Sequence, residues 1–330
     1  MLGYAVRRLG GVAAVLLIMS AVVYLLFYLM PANPAQLVCG VKACTPDRLA
    51  LISHSLGLDE PLYLQYWHFL SGLVVGRDFS MGPSIVHCAA PCLGYSFQYT
   101  EPVLQMILDR LPVSGSLVVG AAILWLTFGI GIGVLSALRR GRWVDHAVNT
   151  IVLGGLAVPV FITALLSLMV VCVYLQWLPF PTFVPFDEDP LLWAQNLILP
   201  WIVLALTTMP VYVRMSRAGM LEVLAEDHIR TARAYGLPER QVIGRHALRG
   251  ALSPLITLAA LDIAAILTSS VLTESVFGLP GIGQLTVQAV RNVDLPVVVG
   301  LVLLIGFVIV VCNAVADLLY AAVDKRVSVS

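Results

Sequence analysis

Six long apolar runs decide what this chain can become. They cover about 9–30, 112–138, 147–177, 193–213, 252–277 and 296–320, and each can cross ~30 Å of hydrocarbon, which takes ~20 residues of helix. Backbone amides and carbonyls in lipid must bond within their own segment, and the residue-by-residue alternation of a barrel strand is absent. The sequence therefore predicts an all-α membrane protein with six transmembrane helices. A soluble domain is excluded for 330 residues that are 59% hydrophobic and 12% charged.

The basic residues set the orientation. With the N-terminus in the cytoplasm, Arg7, Arg8, Arg139, Arg140, Arg142, the arginines from 214 to 249, Lys325 and Arg326 all lie inside, fourteen of the 19 Lys+Arg. Lys42, Arg48, Arg77, Arg110 and Arg291 lie outside with the acidic run Asp187-Glu188-Asp189. Both termini are then cytoplasmic. Arg7 and Arg8 ahead of an apolar run could also open a signal peptide. However, Gly10 to Met30 exceeds the usual ~7–15 residues of that apolar region and no A-x-A site follows, so the run reads as an uncleaved span. Tyr28, Trp177 and Trp193 fall near outer span ends, as in an interfacial aromatic belt.

Three regions follow: residues 1–30 with the first span, an extracytoplasmic insertion at 31–111, and a core at 112–326 with a cytoplasmic loop at 214–251. The insertion is punctuated by Pro31, Pro34, Pro46, Pro83, Pro91 and Pro102 and carries Cys39, Cys44, Cys88 and Cys92. An oxidising exterior favours disulfides among these four, in any of three connectivities. Four thiolates on a metal is the alternative, disfavoured because such sites suit reducing compartments. Cys172 and Cys312 read as core. Gly129, Gly131 and Gly133, then Gly154 and Gly155, have the small side chains that let helices approach closely in lipid. Pro159 predicts a kink in the third span.

One polar stretch interrupts the apolar chain, from Glu222 to Gly250, with Arg230, Arg233, Arg240, Arg245 and Arg249. Ala225, Ile229, Ala232 and Gly236 share one helical stripe. Gly236 can end that helix left-handed, and Pro238 suits the first turn of the next. The pattern reads as a helical hairpin held outside the bilayer for docking, with an amphipathic helix lying in the headgroups as the alternative.

These residues carry a resemblance. Arg230-Thr231-Ala232, then Gly236, then Arg245-His246-Ala247-Leu248 resembles the cytoplasmic "EAA" loop of ABC-importer permeases, in the B-type form found in dipeptide and oligopeptide permeases. Asp59-Glu60-Pro61 after Leu56-Gly57-Leu58, and Glu274-Ser275-Val276-Phe277 before Pro280-Gly281-Ile282-Gly283, are similar to further segments of that family. The likeness runs from about residue 1 to 326. It implies a type I ABC-importer permease fold in the bacterial inner membrane, importing di- or oligopeptides or a related small ligand. It also implies a second homologous permease subunit, two ATP-binding subunits and an extracytoplasmic substrate-binding protein as partners. ATP and Mg would be bound by those ATPase subunits, and this chain would hold no cofactor or metal. By the same resemblance Glu226, Asp227, Arg230, Thr231, Ala232, Arg233, Gly236 and Leu237 couple to the ATPase. Asp262, Glu274, Phe277, Pro280, Gly281 and Gly283 would line the path or its outer gate, with a short surface or re-entrant helix over 284–290.

Intramembrane acids are costly and normally face a cavity, the bundle interior or a partner. Asp262 could contact substrate, a neighbouring charge or a dimer seam, and Glu274 could line the outer mouth or bond the following turn. An ion-coupled secondary transporter using these two acids is the rival of a different class. A membrane enzyme lacks any hydrolytic constellation, and neither lysine of the chain follows a glycine, so a P-loop is excluded. Nothing in the sequence points to nucleic acid.

Overall fold

The computed structural model describes residues 2–28, 59–81, 84–96 and 98–323, with single positions at 45, 46, 50 and 53. Cys39, Cys44 and the chain beyond 323 lie outside the described residues. Helix α1 (Leu2–Tyr28) and α2 (Leu62–Val75) come first, followed by strands β1 (Arg77–Met81), β2 (Ser84–Cys88), β3 (Tyr95–Ser96) and β4 (Glu101–Pro102). The long helix α3 (Val103–Leu138), α4 (Trp143–Ala157) and α5 (Val160–Ser167) follow, the last continuing as a π-helical turn over Leu168–Tyr174. Then come α6 (Pro190–Leu224), α7 (Asp227–Ala234) and α8 (Glu239–Gln241), a π-helical turn at Val242–Ala247, α9 (Leu248–Ser269), α10 (Val271–Phe277), α11 (Ile282–Arg291) and α12 (Leu295–Val323).

The expectation of an all-helical chain needs correction. β1 pairs antiparallel with β2 (Phe79 opposite Val86) and β3 with β4 (Tyr95 opposite Pro102), both inside the insertion. Short strands of this kind belong outside lipid, where unpaired edges meet water. Cys88 and Cys92 are joined to each other by a disulfide and pack with Phe79 and Tyr95. Bonding these two sulfurs together removes both from any four-thiolate metal set.

Three described helices are long and apolar enough to cross a membrane: Val103–Leu138, Pro190–Leu224 and Leu295–Val315. A fourth is added if 239–252 and 254–267, bent by 50°, count as one. Prolines mark two of the departures from the expected runs. Pro112 sits inside α3, so the helix begins at Val103, well before the apolar run. At Pro159 the chain is broken, not kinked: Val158 is extended, as the residue before a proline is pushed to be, and Pro159 stands as N-cap of α5. Ser270 separates α9 from α10 in the same apolar run. Asp189 of the acidic run caps α6, its Oδ1 accepting from the amides of Leu191 and Leu192 at 3.0 Å each, with Pro190 in the first turn.

The chain divides into two compact units. The first comprises residues up to Pro112 and Gly281–Val310. Within it Ser20 Oγ meets Tyr66 Oη at 2.9 Å, joining α1 to α2, and Val103, Met106 and Ile107 pack with Ile282, Leu285 and Ala289 of α11 and Val297 and Leu301 of α12. The second unit comprises Val113–Pro280 and the chain from Val311 onward. Its core joins Leu117, Ala121 and Trp125 of α3 to Leu197, Val203 and Tyr212 of α6. The contact depends on small residues: a Cβ at Gly120, Gly129 or Gly133 would stand 2.1, 2.9 or 2.1 Å from Trp201, Tyr212 or Ser216. Gly131 and Gly154 face open space and take no part in it.

Candidate functional site

The polar stretch folds as a helix, a stop and a second helix. After α6 two tight turns (Ala225 N–H to Glu222 O and Glu226 N–H to Val223 O, 3.1 Å each) redirect the chain into α7. Asp227 in its first turn and Arg233 in its last suit the helix dipole. Gly236 is left-handed at φ +74°, its N–H donates to Arg233 O at 2.9 Å, and Leu237 N–H donates to Ala232 O at 3.4 Å. These two bonds form a Schellman stop. Pro238 then caps α8.

One face of this hairpin is anchored. Ile229 and Ala232 are buried with Ala137 of α3, Met220 and Val223 of α6, and Val242, Ala247 and Ala251. Full burial of a side chain such as Ile229 is worth about 1.5–3 kcal/mol. Ala225 and Gly236 do not join this stripe; both are exposed, because the helix starts only at Asp227 and Gly236 has already left it. The opposite face is exposed among the described residues. Tyr235 is 83% exposed and Leu237 36%. The hairpin also carries an exposed His228–Glu226 contact at 2.9 Å and exposed ion pairs, Arg230–Asp227 at 3.4 Å and Arg233–Glu239 at 2.8 Å. The Thr231 hydroxyl donates to Asp227 O at 2.9 Å, closing the first turn of α7.

Asp262 and Glu274 have partners in this same unit. Asp262 of α9 is half-buried and accepts from the hydroxyl of buried Tyr212 of α6 at 2.7 Å. Glu274 of α10 has no exposure to solvent, and its Oε1 accepts from Ser114 of α3 and Ser270, each at 2.7 Å. The Glu274 carbonyl takes the amides of Gly278, left-handed at φ +68°, and Leu279. Phe277 is buried beside them and Pro280 is exposed. Gly281 and Gly283 fall in the first unit, Gly281 as N-cap of α11 and Gly283 buried within it. The short helix expected at 284–290 thus begins at Ile282, and its buried stripe is Ile282, Leu285 and Ala289.

Residues 129–329 match the family model described as binding-protein-dependent transport system inner membrane component, and residues 1–118 match the model of its N-terminal region. The chain belongs to this family. Full-length relatives include a Brucella abortus (strain 2308) protein named as a peptide transport system permease, 38% identical over 321 residues and 97% of each chain. The glutathione transport system permease GsiC of Escherichia coli (strain K12) is 35% identical over 327 residues and 99% of each chain. Two structures of the MetNI methionine ABC transporter in inward-facing conformations share the fold. Their TM-scores are 0.55 and 0.51 at 18% identity, over 67% of this chain and 97% and 98% of those chains. The protein is a multi-pass permease subunit of an ABC transporter with the type I importer fold. It is not itself an enzyme; ATP hydrolysis belongs to partner ATPases.

Two polar anchors of the permease escape a reading of motifs. Asp145, buried in the first turn of α4, accepts from Arg217 Nε and an Arg217 terminal nitrogen at 2.7 and 2.8 Å, from Ser136 at 2.6 Å and from the Gly141 amide at 3.0 Å. The Arg217 guanidinium, with Ser136 and Gly141, holds the Asp145 carboxyl far below the usual carboxylate range. In the first unit, buried Asp294 accepts from the Ser96 hydroxyl, and burial pushes its carboxyl up. The available signal was one acid amid Arg139, Arg140 and Arg142, and another two residues before a proline at a span start.

Proposed function

We propose that this permease forms one half of the translocation path of a peptide-type importer and that the α7–α8 hairpin is its contact with an ATP-binding subunit. The carrying observation is the two-sided hairpin: Ile229 and Ala232 fix it to the α3–α6–α9 core, while Tyr235, Leu237 and the charged side chains of α7 are exposed among the described residues. A rigid surface of this kind transmits a push. The proposed assembly contains a second homologous permease, two ATP-binding subunits and an extracytoplasmic substrate-binding protein. The chain crosses the membrane six times with both termini in the cytoplasm, 31–111 outside and 214–251 inside. Closure of the ATPase dimer moves the hairpins together and opens the outer side to cargo from the binding protein; hydrolysis resets the inward-open state. Names of the full-length relatives support a cargo with peptide bonds, di- or oligopeptide or glutathione. The bonded state of Asp262 and Glu274 gives ion coupling no support.

Proteoliposomes holding the complete complex test this reading. Uptake of a labelled peptide should require ATP and the binding protein, and collapse of ion gradients should leave it unchanged. Gradient-driven uptake without ATP would overturn it.

A further inference from the structure

Inside the second unit an apolar groove of about 640 Å³ is bounded by α3, α4, α5 and α6, with Ile132, Leu135, Val148, Ile151, Val170 and Leu206 among its walls. It is open along one side, where Ile151 is 73% exposed. Three hydroxyls lie on these walls, and each is turned onto its own helix: Thr163 to Pro159 O at 3.4 Å, Ser167 to Ala164 O at 2.7 Å and Thr207 to Leu204 O at 2.8 Å. The groove is therefore built for hydrocarbon and offers little to a polar solute.

At one end both walls run into a basic turn. Ile132, Leu135 and Arg139 follow one another at i, i+3 and i+7 on one face, and the Arg139 amide still bonds Leu135 O at 3.1 Å. On the other wall Arg142 is the N-cap of α4, immediately before Trp143 and about two turns before Val148 and Ile151. Arg139, Arg140 and Arg142 are all exposed. The one acid of this turn, Asp145, is committed to Arg217, Ser136 and Gly141, so it leaves the three arginine charges to other partners. Trp143, 78% exposed, has the amphipathic ring expected at headgroup level.

We propose that this groove holds an acyl chain of an anionic phospholipid whose phosphate rests on the Arg139–Arg142 turn. A hydrocarbon slot ending in cations is complementary to one amphiphile, a chain with a negative head. Each arginine near the surface contributes roughly fivefold to such binding. The site is independent of cargo and of the hairpin's role.

The test uses the complete complex in phosphatidylcholine vesicles carrying a minor fraction of phosphatidylglycerol with a photoactivatable acyl chain, and mass spectrometry of the labelled peptides. Adducts should concentrate on 148–152 and 166–170, and unlabelled phosphatidylglycerol should displace them where added phosphatidylcholine does not. Replacing Arg139, Arg140 and Arg142 together by Gln should lower labelling at least about tenfold. Ile151→Trp fills the slot without touching charge and should abolish the adducts, which separates the groove from the basic turn. Labelling spread evenly over the lipid-facing helices, or unchanged by the triple substitution, would overturn the proposal. So would a groove that yields no lipid adduct while Ile151→Cys crosslinks to another subunit, since a protein helix would then be the occupant.

Discussion

The hairpin of α7 and α8 and the α10 turn at 270–279 both carry acids beside a family motif, and they treat charge in opposite ways. In the hairpin Asp227, Arg230, Arg233 and Glu239 pair with one another at the surface, where an exposed pair is worth little. In the turn one carboxylate, Glu274, is fully buried and bonded to Ser114 and Ser270. A motif on a solvated face leaves its polar groups available to a partner. A motif sealed into the core has spent them on the fold, and its loss should register first as loss of structure.

Glu274→Ala should sharpen that contrast most. It strips two buried hydroxyls of their acceptor and should cost about 2–5 kcal/mol of stability, seen as a lower Tm of the extracted complex, while Glu274→Gln recovers much of it. An Ala variant with unchanged Tm and no transport would instead make Glu274 a path residue. Gly236→Pro comes next. Proline cannot adopt φ +74° and removes the amide that bonds Arg233 O, a local penalty of about 3 kcal/mol. It should abolish ATP-driven uptake while the protein remains extractable, because the Ile229–Ala232 anchor lies before it.

A third effect depends on pH. Asp145 is held below its usual range, so its stabilisation is complete above the ordinary aspartate value of ~3.9 and is lost as pH falls below it. Asp145→Asn should flatten the acid limb of a Tm–pH curve. Asp294 has the opposite sign: its contribution is greatest below that value and is lost as pH rises above it through the raised pKa of the folded state, so Asp294→Asn should steepen the limb. The smallest change is expected for Arg233→Ala, which breaks only an exposed pair and should shift stability by no more than about 0.5 kcal/mol. A large Tm loss there would break the comparison from the other side.

Helix identity was legible because lipid forces apolar runs to be helical, and the hairpin was legible because Gly236 and Pro238 punctuate it. Helix ends were less so. Pro112, Pro200 and Pro210 lie inside helices that a local reading would end, since neighbouring helices can meet the freed carbonyls. The Asp145–Arg217 and Ser96–Asp294 contacts join residues 72 and 198 positions apart, which no local pattern encodes. The strand pairs of the insertion were hidden for a different reason: they join near neighbours, but their alternation is only a few residues long. The Cys88–Cys92 pairing was one of three that spacing alone left open.

The most direct measurement is co-purification of the tagged permease from its native membrane, wild type beside a Tyr235→Asp, Leu237→Asp double variant. The exposed tip of the hairpin is predicted to hold the ATPase. Wild type should therefore bring down an ATP-binding subunit, and the variant should extract with the same yield and Tm but without it. A variant that retains its ATPase at the wild-type level would contradict the coupling role and leave the hairpin as a surface helix.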